Sequence, residues 1–561
     1  MLSNKTLHKA LSLNIVLCII LSTLTLLSCQ SDKNDFPWLK ETETIQETLP
    51  PKEASPINFE YTLTDSDPDE FYALLKTLED HIDNKEDSSI VSANNKAEDK
   101  FDYIGHQYYV SQINYYSDLD DDDAYDAYVY SEEIYMDAYE EYLYVLKKLY
   151  NSELASKNEV FADWTEAEIK SLTVSNKEVI DLEEKQNELI RQYLELGAPE
   201  LSEEWTIALE KIYLEYIDAS QKLASHYGYD YYYDYAANEI YQRQNTKEQR
   251  DNFRKIVKEQ ILPFYIEIDS LYDEKRALLN TEQRTLLSSL RNDTCQPENE
   301  YLVRYINSYP EKMQIYMNYL FNRNGLLYSE KSGAHTAAFT GYSYYYDQPF
   351  VFLGNDMQDL LTLVHELGHY TAYYHFSDAK LPYETGETHS QGNEWLFLYN
   401  LNGKIDQDVY DVFMLRRLRS GLETIIICTL VDEYEEKIFT HGKIDSTEAL
   451  EDIWIEVFEG YENIEAISTA EELYAYTQQV TIESSVYYLN YATSELVAMT
   501  FFTVASEDGY GEAQKIFTDL CLETPVGVSF FETLTDIGLP DPYQPDTFLR
   551  TKDAFKAVLE K

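Results

Sequence analysis

A pair of histidines four residues apart, on one apolar segment, limits what this sequence can form more than any other part of it. The segment starts at Asp359 and contains His365 and His369, with Glu366 directly after the first histidine. An α-helix turns once in about 3.6 residues, so both imidazoles lie on one face of the predicted helix. In zinc enzymes such a pair binds the ion, and the adjacent glutamate takes a proton from the zinc-bound water. A catalytic zinc site has three protein ligands, so one more ligand is required.

Three residues downstream could supply that ligand. Glu394 opens an apolar stretch with helical spacing, whereas Glu387 and His389 lie in a glycine-flanked stretch that is typical of a loop. A helix fixes the direction of a side chain better than a loop does, so we predict Glu394 as the third ligand and His389 as a surface or neighbouring residue. The alternative is that His365 and His369 are ordinary helix histidines, because a motif this short also occurs by chance.

The charge balance of the chain is strongly acidic. Its 561 residues include 44 Lys and Arg against 102 Asp and Glu, a net charge of −58. This argues against nucleic acid as a partner and against electrostatic docking on anionic lipid. A solvated acidic surface is the simplest interpretation, and attraction of cationic substrates is the alternative.

The first residues resemble a bacterial export signal. Two lysines precede an apolar segment over 10–27, and Cys29 follows. This is the pattern of a secretory signal peptide, and residues 26–29 resemble a lipoprotein cleavage motif in which Cys29 receives the lipid. An uncleaved membrane anchor is the alternative. Both interpretations predict an extracytoplasmic protein, and the first predicts a membrane-anchored lipoprotein of a bacterium.

Composition and hydrophobic spacing divide the chain into five predicted parts. They are a lipoprotein signal peptide over 1–28, an acidic tether over 29–60, an N-terminal helical region over 61–160, a catalytic domain over 161–550 and a C-terminal tail over 551–561. Helical spacing prevails, and strand signals are scarce. The clearest strand signal is the apolar run 348–354, which we predict as an edge strand that binds a substrate backbone; a buried strand without substrate contact is the alternative.

Short segments spread along the chain match one known pattern. They are Ser332-Gly333-Ala334, Pro349-Phe350, Asn355, Leu363 to His369, Glu394, His226 to Tyr231, Tyr487 to Ser494 and Gly538. Together they resemble the oligoendopeptidase F and thimet oligopeptidase family of zinc metallopeptidases. The resemblance implies a mainly α, zincin-like fold with a deep substrate channel between two halves and a small β-sheet beside the zinc helix.

The resemblance also implies roles for individual residues. One zinc ion would be bound by His365, His369 and Glu394, with Glu366 as the general base. The expected activity is zinc-dependent endopeptidase hydrolysis of internal peptide bonds in oligopeptides outside the cytoplasm, with Glu366 activating a zinc-bound water.

Two tyrosines match the residues that stabilise the oxyanion in this family. They are Tyr487 and Tyr491, while Thr481 stands where the family has a histidine. Because the chain has 52 tyrosines, a role in packing is the alternative for each. The change at Thr481 motivates a second functional hypothesis, a peptide-binding lipoprotein with weak or lost catalysis. A third is an acidic surface adhesin with an incidental metal site.

Overall fold

The structure is a computed structural model that describes most of the chain. The described residues are 56–162, 164, 177–196, 203–292, 299–329, 331, 334–335, 338–355, 357, 359–376, 381–442, 444, 446–525 and 527–559. The predicted signal peptide, Cys29 and the Ser332-Gly333 segment lie outside them. Within the described ranges, no helix combines the length and apolar character that a membrane span requires.

The described residues form two compact units. The motif unit, which contains the histidine pair, consists of those in Asn176–Met313 and Asp359–Lys561. The sheet unit consists of those in Leu27–Ser175 and Gln314–Gln358. Residues 314–358 lie within the predicted catalytic region of 161–550 but belong to the sheet unit, where the backbone N–H of His335 donates to the carbonyl of Tyr116 at 2.8 Å.

The sheet unit combines long helices with a small sheet. Its elements are α1 (Asp67–Asp83), α2 (Asp87–Ser117), α3 (Asp122–Tyr150), α4 (Lys157–Val160), β1 (Leu326–Tyr328), β2 (Ala338–Ser343) and β3 (Gln348–Leu353). The helices α1, α2 and α3 enclose an apolar core. Its fully buried members include Phe71, Leu78, Ile90, Ala97, Ile104 and Leu149.

The predicted strand over 348–354 forms as β3, but it is not an edge strand. The strand order is β1-β3-β2, so β3 pairs with β1 on one side and with β2 on the other. All six of its residues are buried. The prediction of an edge strand is therefore wrong, and the alternative of a buried strand fits the structure, because Val351, Phe352 and Leu353 pair on both sides and all side chains of β3 are buried.

Within its described residues the motif unit contains helices joined by loops and no strand. Its helices are α5 (Lys177–Glu195), α6 (Glu203–His226), α7 (Tyr232–Tyr235), α8 (Lys247–Ile256), α9 (Leu262–Leu278), α10 (Thr281–Asn292), α11 (Glu300–Ile306), α12 (Glu311–Asn322), α13 (Leu360–Tyr373), α14 (Tyr383–Leu401), α15 (Gln407–Thr440), α16 (Thr447–Glu459), α17 (Ala470–Ser484), α18 (Leu489–Glu507), α19 (Tyr510–Leu522), α20 (Phe530–Ile537) and α21 (Pro545–Leu559). Helix α12 starts in this unit and continues into the sheet unit after Met313. The mainly α fold class is confirmed, and residues 551–559 of the predicted tail continue α21.

Four helices of the motif unit build the candidate site. Helix α14 packs against α13 on one side and against α18 on another, and α18 in turn packs against α15. Gly392 permits the close approach of α14 to α18, because a Cβ atom there would lie 2.8 Å from the ring of Phe501.

Candidate metal centre

Helix α13 holds the histidine pair on its partly exposed face. Asp359 caps the helix, and its carboxylate accepts hydrogen bonds from two backbone N–H groups of the first turn at 2.9 and 3.1 Å. Such a cap satisfies donors that a helix start leaves open. Leu363 and Leu367 are fully buried on the apolar side. This anchoring leaves His365 and His369 on the other side, with 27% and 13% of their side-chain surface exposed.

Helix α14 lies directly against α13 because a glycine permits it. A Cβ atom on Gly368 would lie 2.5 Å from the carbonyl oxygen of His389, closer than real side chains approach. Four residues along α14 from His389, the Asn393 side chain donates a hydrogen bond to the carbonyl of Val364 at 2.6 Å. These contacts fix the register of the two helices and bring Glu387 to the histidine pair.

The structure brings together His365, His369 and Glu387. Each residue offers one possible ligand atom, and these three atoms all lie within 4.8 Å of one another. The Nε2 of His369 lies 3.9 Å from Glu387 Oε2. The other ring nitrogen of His369, Nδ1, is buried and has no hydrogen-bond partner among the described residues. Two imidazoles and one carboxylate are the ligand set of a catalytic zinc site, so these residues fit a zinc ion.

Glu394 is placed beside this cluster, with both of its oxygens engaged by protein groups. His365 Nδ1 donates to Glu394 Oε1 at 2.8 Å, and Arg417 Nε donates to Glu394 Oε2 at 2.6 Å. The structure therefore brings Glu387, and not the predicted Glu394, into the group of possible ligands. Glu394 accepts the hydrogen bond of His365 Nδ1, so in the neutral imidazole the proton is on Nδ1 and the lone pair is on Nε2. Nε2 is therefore the nitrogen available to a metal.

Burial and neighbouring charges favour opposite protonation states at the two histidines. Burial disfavours the charged form of His365, but the hydrogen bond to Glu394 and two further carboxylates, on α13 and α14, raise its pKa to about 9. Burial, with repulsion from two other histidines, lowers the pKa of His369 well below its ordinary value. The carboxylates around His365 thus favour positive charge at this position, which a bound metal ion would supply in place of the proton, and His369 stays neutral with a lone pair that a metal can accept.

Arg417 on α15 ties three helices together behind the cluster. Besides Glu394 on α14, it holds Glu495 on α18 through two hydrogen bonds of 2.8 and 2.9 Å. Its guanidinium also lies 4.7 Å from the ring centre of Trp395, whose Nε1 donates to Glu495 at 3.2 Å. Burial alone would raise the pKa of Glu394, but the charge of Arg417 and the hydrogen bond from His365 lower it. Glu394 is therefore an ionised, fixed acceptor for His365.

Glu366 and the two predicted tyrosines complete the surroundings. Glu366 is 5% exposed, one residue after His365. The hydroxyl of Tyr491 hydrogen-bonds to Glu387, which partly offsets the increase that burial causes in the pKa of Glu387. The Tyr487 ring packs edge-on against that of Tyr491, with ring centres 5.1 Å apart. Both tyrosines therefore lie at the cluster.

Thr481 does not take the place of a histidine at the cluster. It is fully buried on α17, and its hydroxyl donates to the carbonyl of Thr477 in the same helix at 2.8 Å. The hydroxyl is therefore used within its own helix.

Glu387 was one of three possible ligands in the sequence, ranked below Glu394, whereas nothing in the sequence pointed to Arg417 or Glu495. The only local signal was the spacing of Glu387 and Glu394, which lie seven residues apart. Seven residues are two helical turns, so both side chains point to the same side of α14. Arg417 and Glu495 carry no local signal, because each is defined by residues far away in the chain.

Solved structures identify the fold. No protein-family model and no curated protein matches the sequence. Among solved structures, a proposed oligoendopeptidase F from Bacillus anthracis matches with a TM-score of 0.62 and 17% identity over 91% of this chain and 99% of that chain. PZ peptidase A, solved with an inhibitor, matches with a TM-score of 0.62 and 14% identity over 90% and 98%. Oligoendopeptidase-F from Enterococcus faecium matches with a TM-score of 0.52 and 13% identity over 89% and 98%.

The chain is therefore a large, mainly helical protein of the architecture found in these peptidases, with a His-His-Glu cluster able to hold a metal. More specifically, its fold is that of the oligoendopeptidase F structures, which confirms the resemblance seen in the sequence at the level of the fold.

Proposed function

We propose that this protein is a zinc-dependent endopeptidase that cleaves internal peptide bonds of oligopeptides. The observation that carries the proposal is the cluster of His365, His369 and Glu387, within 4.8 Å of one another, with His365 oriented by Glu394. The oligoendopeptidase F fold supports the same function, because the matching structures are named as peptidases.

His365, His369 and Glu387 would hold the ion, and Glu394 would keep the imidazole of His365 in the tautomer that binds it. When bound, zinc lowers the pKa of a coordinated water to about 7 and polarises a carbonyl group. Glu366 would accept the proton of the attacking water and pass it to the leaving amine.

Two tyrosines would act on the oxygen of the scissile carbonyl. Tyr491 has its hydroxyl at Glu387, and Tyr487 packs against Tyr491. A hydroxyl donor at this position would stabilise the negative charge that develops on the carbonyl oxygen. Burial raises the pKa of Tyr487 well above its ordinary value, so this residue would act as a neutral donor.

The function can be tested by metal analysis together with cleavage mapping. Wild-type protein and Glu366→Gln would be assayed for metal content and for cleavage of a mixed peptide library by mass spectrometry. We expect one zinc per chain in both and internal cleavage by the wild type only. Metal-free wild type, or equal cleavage by Glu366→Gln, would contradict the proposal. Zinc and peptide binding without turnover would favour a peptide-binding protein instead.

We also propose that the protein is exported and anchored to the membrane through lipid on Cys29. The support is the sequence pattern of two lysines, an apolar segment over 10–27 and Cys29. Metabolic labelling with a radioactive fatty acid should mark the wild type and leave Cys29→Ser unlabelled. Labelling of both, or of neither, would contradict the lipid anchor.

A further inference from the structure

The segment that carries Tyr487 contains a backbone conformation that its own sequence disfavours. Val486 lies between α17 and α18 with φ +65°. Within the described ranges, it is the only β-branched residue among six non-glycine residues with positive φ. A β-branched residue in the left-handed region is a strained outlier, and such strain persists only where the surroundings impose it.

One side chain supports this conformation from another helix. Glu435 on α15 is fully buried, and its Oε1 accepts the backbone N–H of Val486 at 2.8 Å. The Val486 side chain is also fully buried. The residue is thus held at its N–H by a hydrogen bond and at its side chain by packing.

The position of the tyrosines depends on this turn. Tyr487 follows Val486 directly, and its carbonyl accepts the backbone N–H of Asn490 at 3.0 Å in the first turn of α18. Tyr491 lies in the same helix start, with its hydroxyl at Glu387. A change of φ at Val486 would therefore swing Tyr487 and alter how α18 begins.

We propose that Glu435 is a positioning residue that holds Val486 in the left-handed conformation and thereby sets Tyr487 and Tyr491 against Glu387. The role in turnover rests on the proposed peptidase function. The role of the hydrogen bond in holding the backbone at Val486 is independent of that function.

Two substitutions separate the hydrogen-bonding role of Glu435 from its ability to ionise. Glu435→Gln keeps the length of the side chain and an oxygen acceptor but cannot ionise. Glu435→Asp keeps a carboxyl group but is one methylene too short to reach Val486 in this arrangement. We expect kcat of Glu435→Gln to stay within about threefold of wild type. We expect kcat of Glu435→Asp to fall about tenfold, because without the hydrogen bond the strain at Val486 would reduce the population of the left-handed conformation by about that factor. KM and zinc content should stay unchanged in both.

A second substitution tests whether backbone strain is the cause. Glycine adopts positive φ without a steric penalty, so Val486→Gly should make the turn less dependent on Glu435. The effect of Glu435→Asp on kcat should therefore shrink from about tenfold in the Val486 background to about threefold or less in the Val486→Gly background. An equal loss in both backgrounds, or a larger loss for Glu435→Gln than for Glu435→Asp, would overturn the proposal.

Amide hydrogen exchange provides a readout that does not depend on activity. In the wild type the Val486 N–H should exchange slowly, and Glu435→Asp should speed its exchange about tenfold while Glu435→Gln does not. If the wild type cleaves no peptide, the proposed function fails while the exchange result still decides the role of Glu435. If the wild type is active but exchange at Val486 is the same in all variants, only the role of Glu435 fails.

Discussion

Glu387 and Glu394 lie on the same side of α14, and their surroundings give them different roles. Glu387 approaches the histidine pair and receives the hydroxyl of Tyr491. Glu394 accepts hydrogen bonds from His365 Nδ1 and from Arg417 Nε. The first therefore suits direct contact with a metal, and the second suits orientation of a metal ligand.

This difference predicts distinct effects of two alanine substitutions on zinc affinity. Glu394→Ala should weaken zinc binding about 10- to 100-fold, the usual effect of losing a group that orients a ligand. Glu387→Ala should weaken it more, because a direct ligand is lost. Competition titration against a zinc-binding dye measures both. A weaker effect of Glu387→Ala than of Glu394→Ala would contradict this assignment.

The sequence predicted the neighbourhood of the third ligand but not the residue. Gly386 and Gly392 suggested a loop, yet α14 begins at Tyr383 and includes both glycines. Gly392 is needed at this point because α14 approaches the Phe501 ring of α18, a requirement that depends on packing and leaves no local pattern. Once Glu387 is also helical, rigidity no longer favours Glu394.

At the scale of elements, the site depends on the close contact between α13 and α14. Gly368 lies where the His389 carbonyl oxygen leaves no room for a Cβ atom. Gly386, on α14, has no atom within 4 Å of such a Cβ. The two glycines therefore offer a matched pair of substitutions.

Alanine should have opposite effects at these two positions. Gly368→Ala should lower the free energy of unfolding by about 1–3 kcal/mol, as overpacking does, and should also weaken zinc binding because the helices separate. Gly386→Ala should raise the free energy of unfolding by about 0.5–1 kcal/mol, since alanine is the better helix former. Urea denaturation tests both. Equal effects would mean that the contact does not limit the approach of the helices.

Helix content and the existence of β3 followed from local spacing, whereas sheet order did not. The apolar run 348–354 has the same local pattern at an edge or at the centre of a sheet. Its central place is set by β1 and β2, which start 22 and 10 residues before it. For the same reason, the predicted placement of the sheet beside the metal helix stays a prediction.

At the scale of the whole molecule, several buried or half-buried carboxyl groups resist ionisation. Burial raises the pKa of Asp102, Glu384 and Glu483 to about 7 and that of Glu435 to about 8. These values lie above the ordinary carboxyl pKa of about 4, so protonation favours the folded state. Their contribution to stability is complete below about pH 4 and is lost as the pH rises to between 7 and 8.

We therefore expect the metal-free protein to have a higher Tm at pH 6 than at pH 8.5. Groups of the opposite kind, such as Asp432, whose pKa is lowered by two arginines despite its burial, lose their contribution only at acidic pH. Glu483→Gln keeps an oxygen that can accept the hydrogen bond of the Tyr193 hydroxyl, and it should show a smaller fall in Tm from pH 6 to pH 8.5 than the wild type. Calorimetry in a chelating buffer of constant ionic strength measures this. A Tm that is equal or higher at pH 8.5 would contradict the expectation.

The alternative to a merely solvating acidic surface, that the net charge of −58 attracts cationic substrates, predicts a preference for cationic peptides. Matched peptides with lysine or with glutamate at positions away from the cleaved bond should differ in kcat/KM, because the acidic surface attracts the former. Raising the ionic strength from about 0.01 to 1 M shortens the screening length from about 30 to 3 Å, so the difference should largely disappear. A ratio that does not change with salt would exclude attraction by the overall charge.

The central claim is that His365, His369 and Glu387 together bind one zinc ion. Anomalous diffraction at the zinc absorption edge, from crystals of the wild-type protein, tests it most directly. We predict a single peak bound by these three side chains, with Glu394 still hydrogen-bonded to His365 Nδ1. A peak bound by Glu394 in place of Glu387, or no peak at the histidine pair, would contradict the claim.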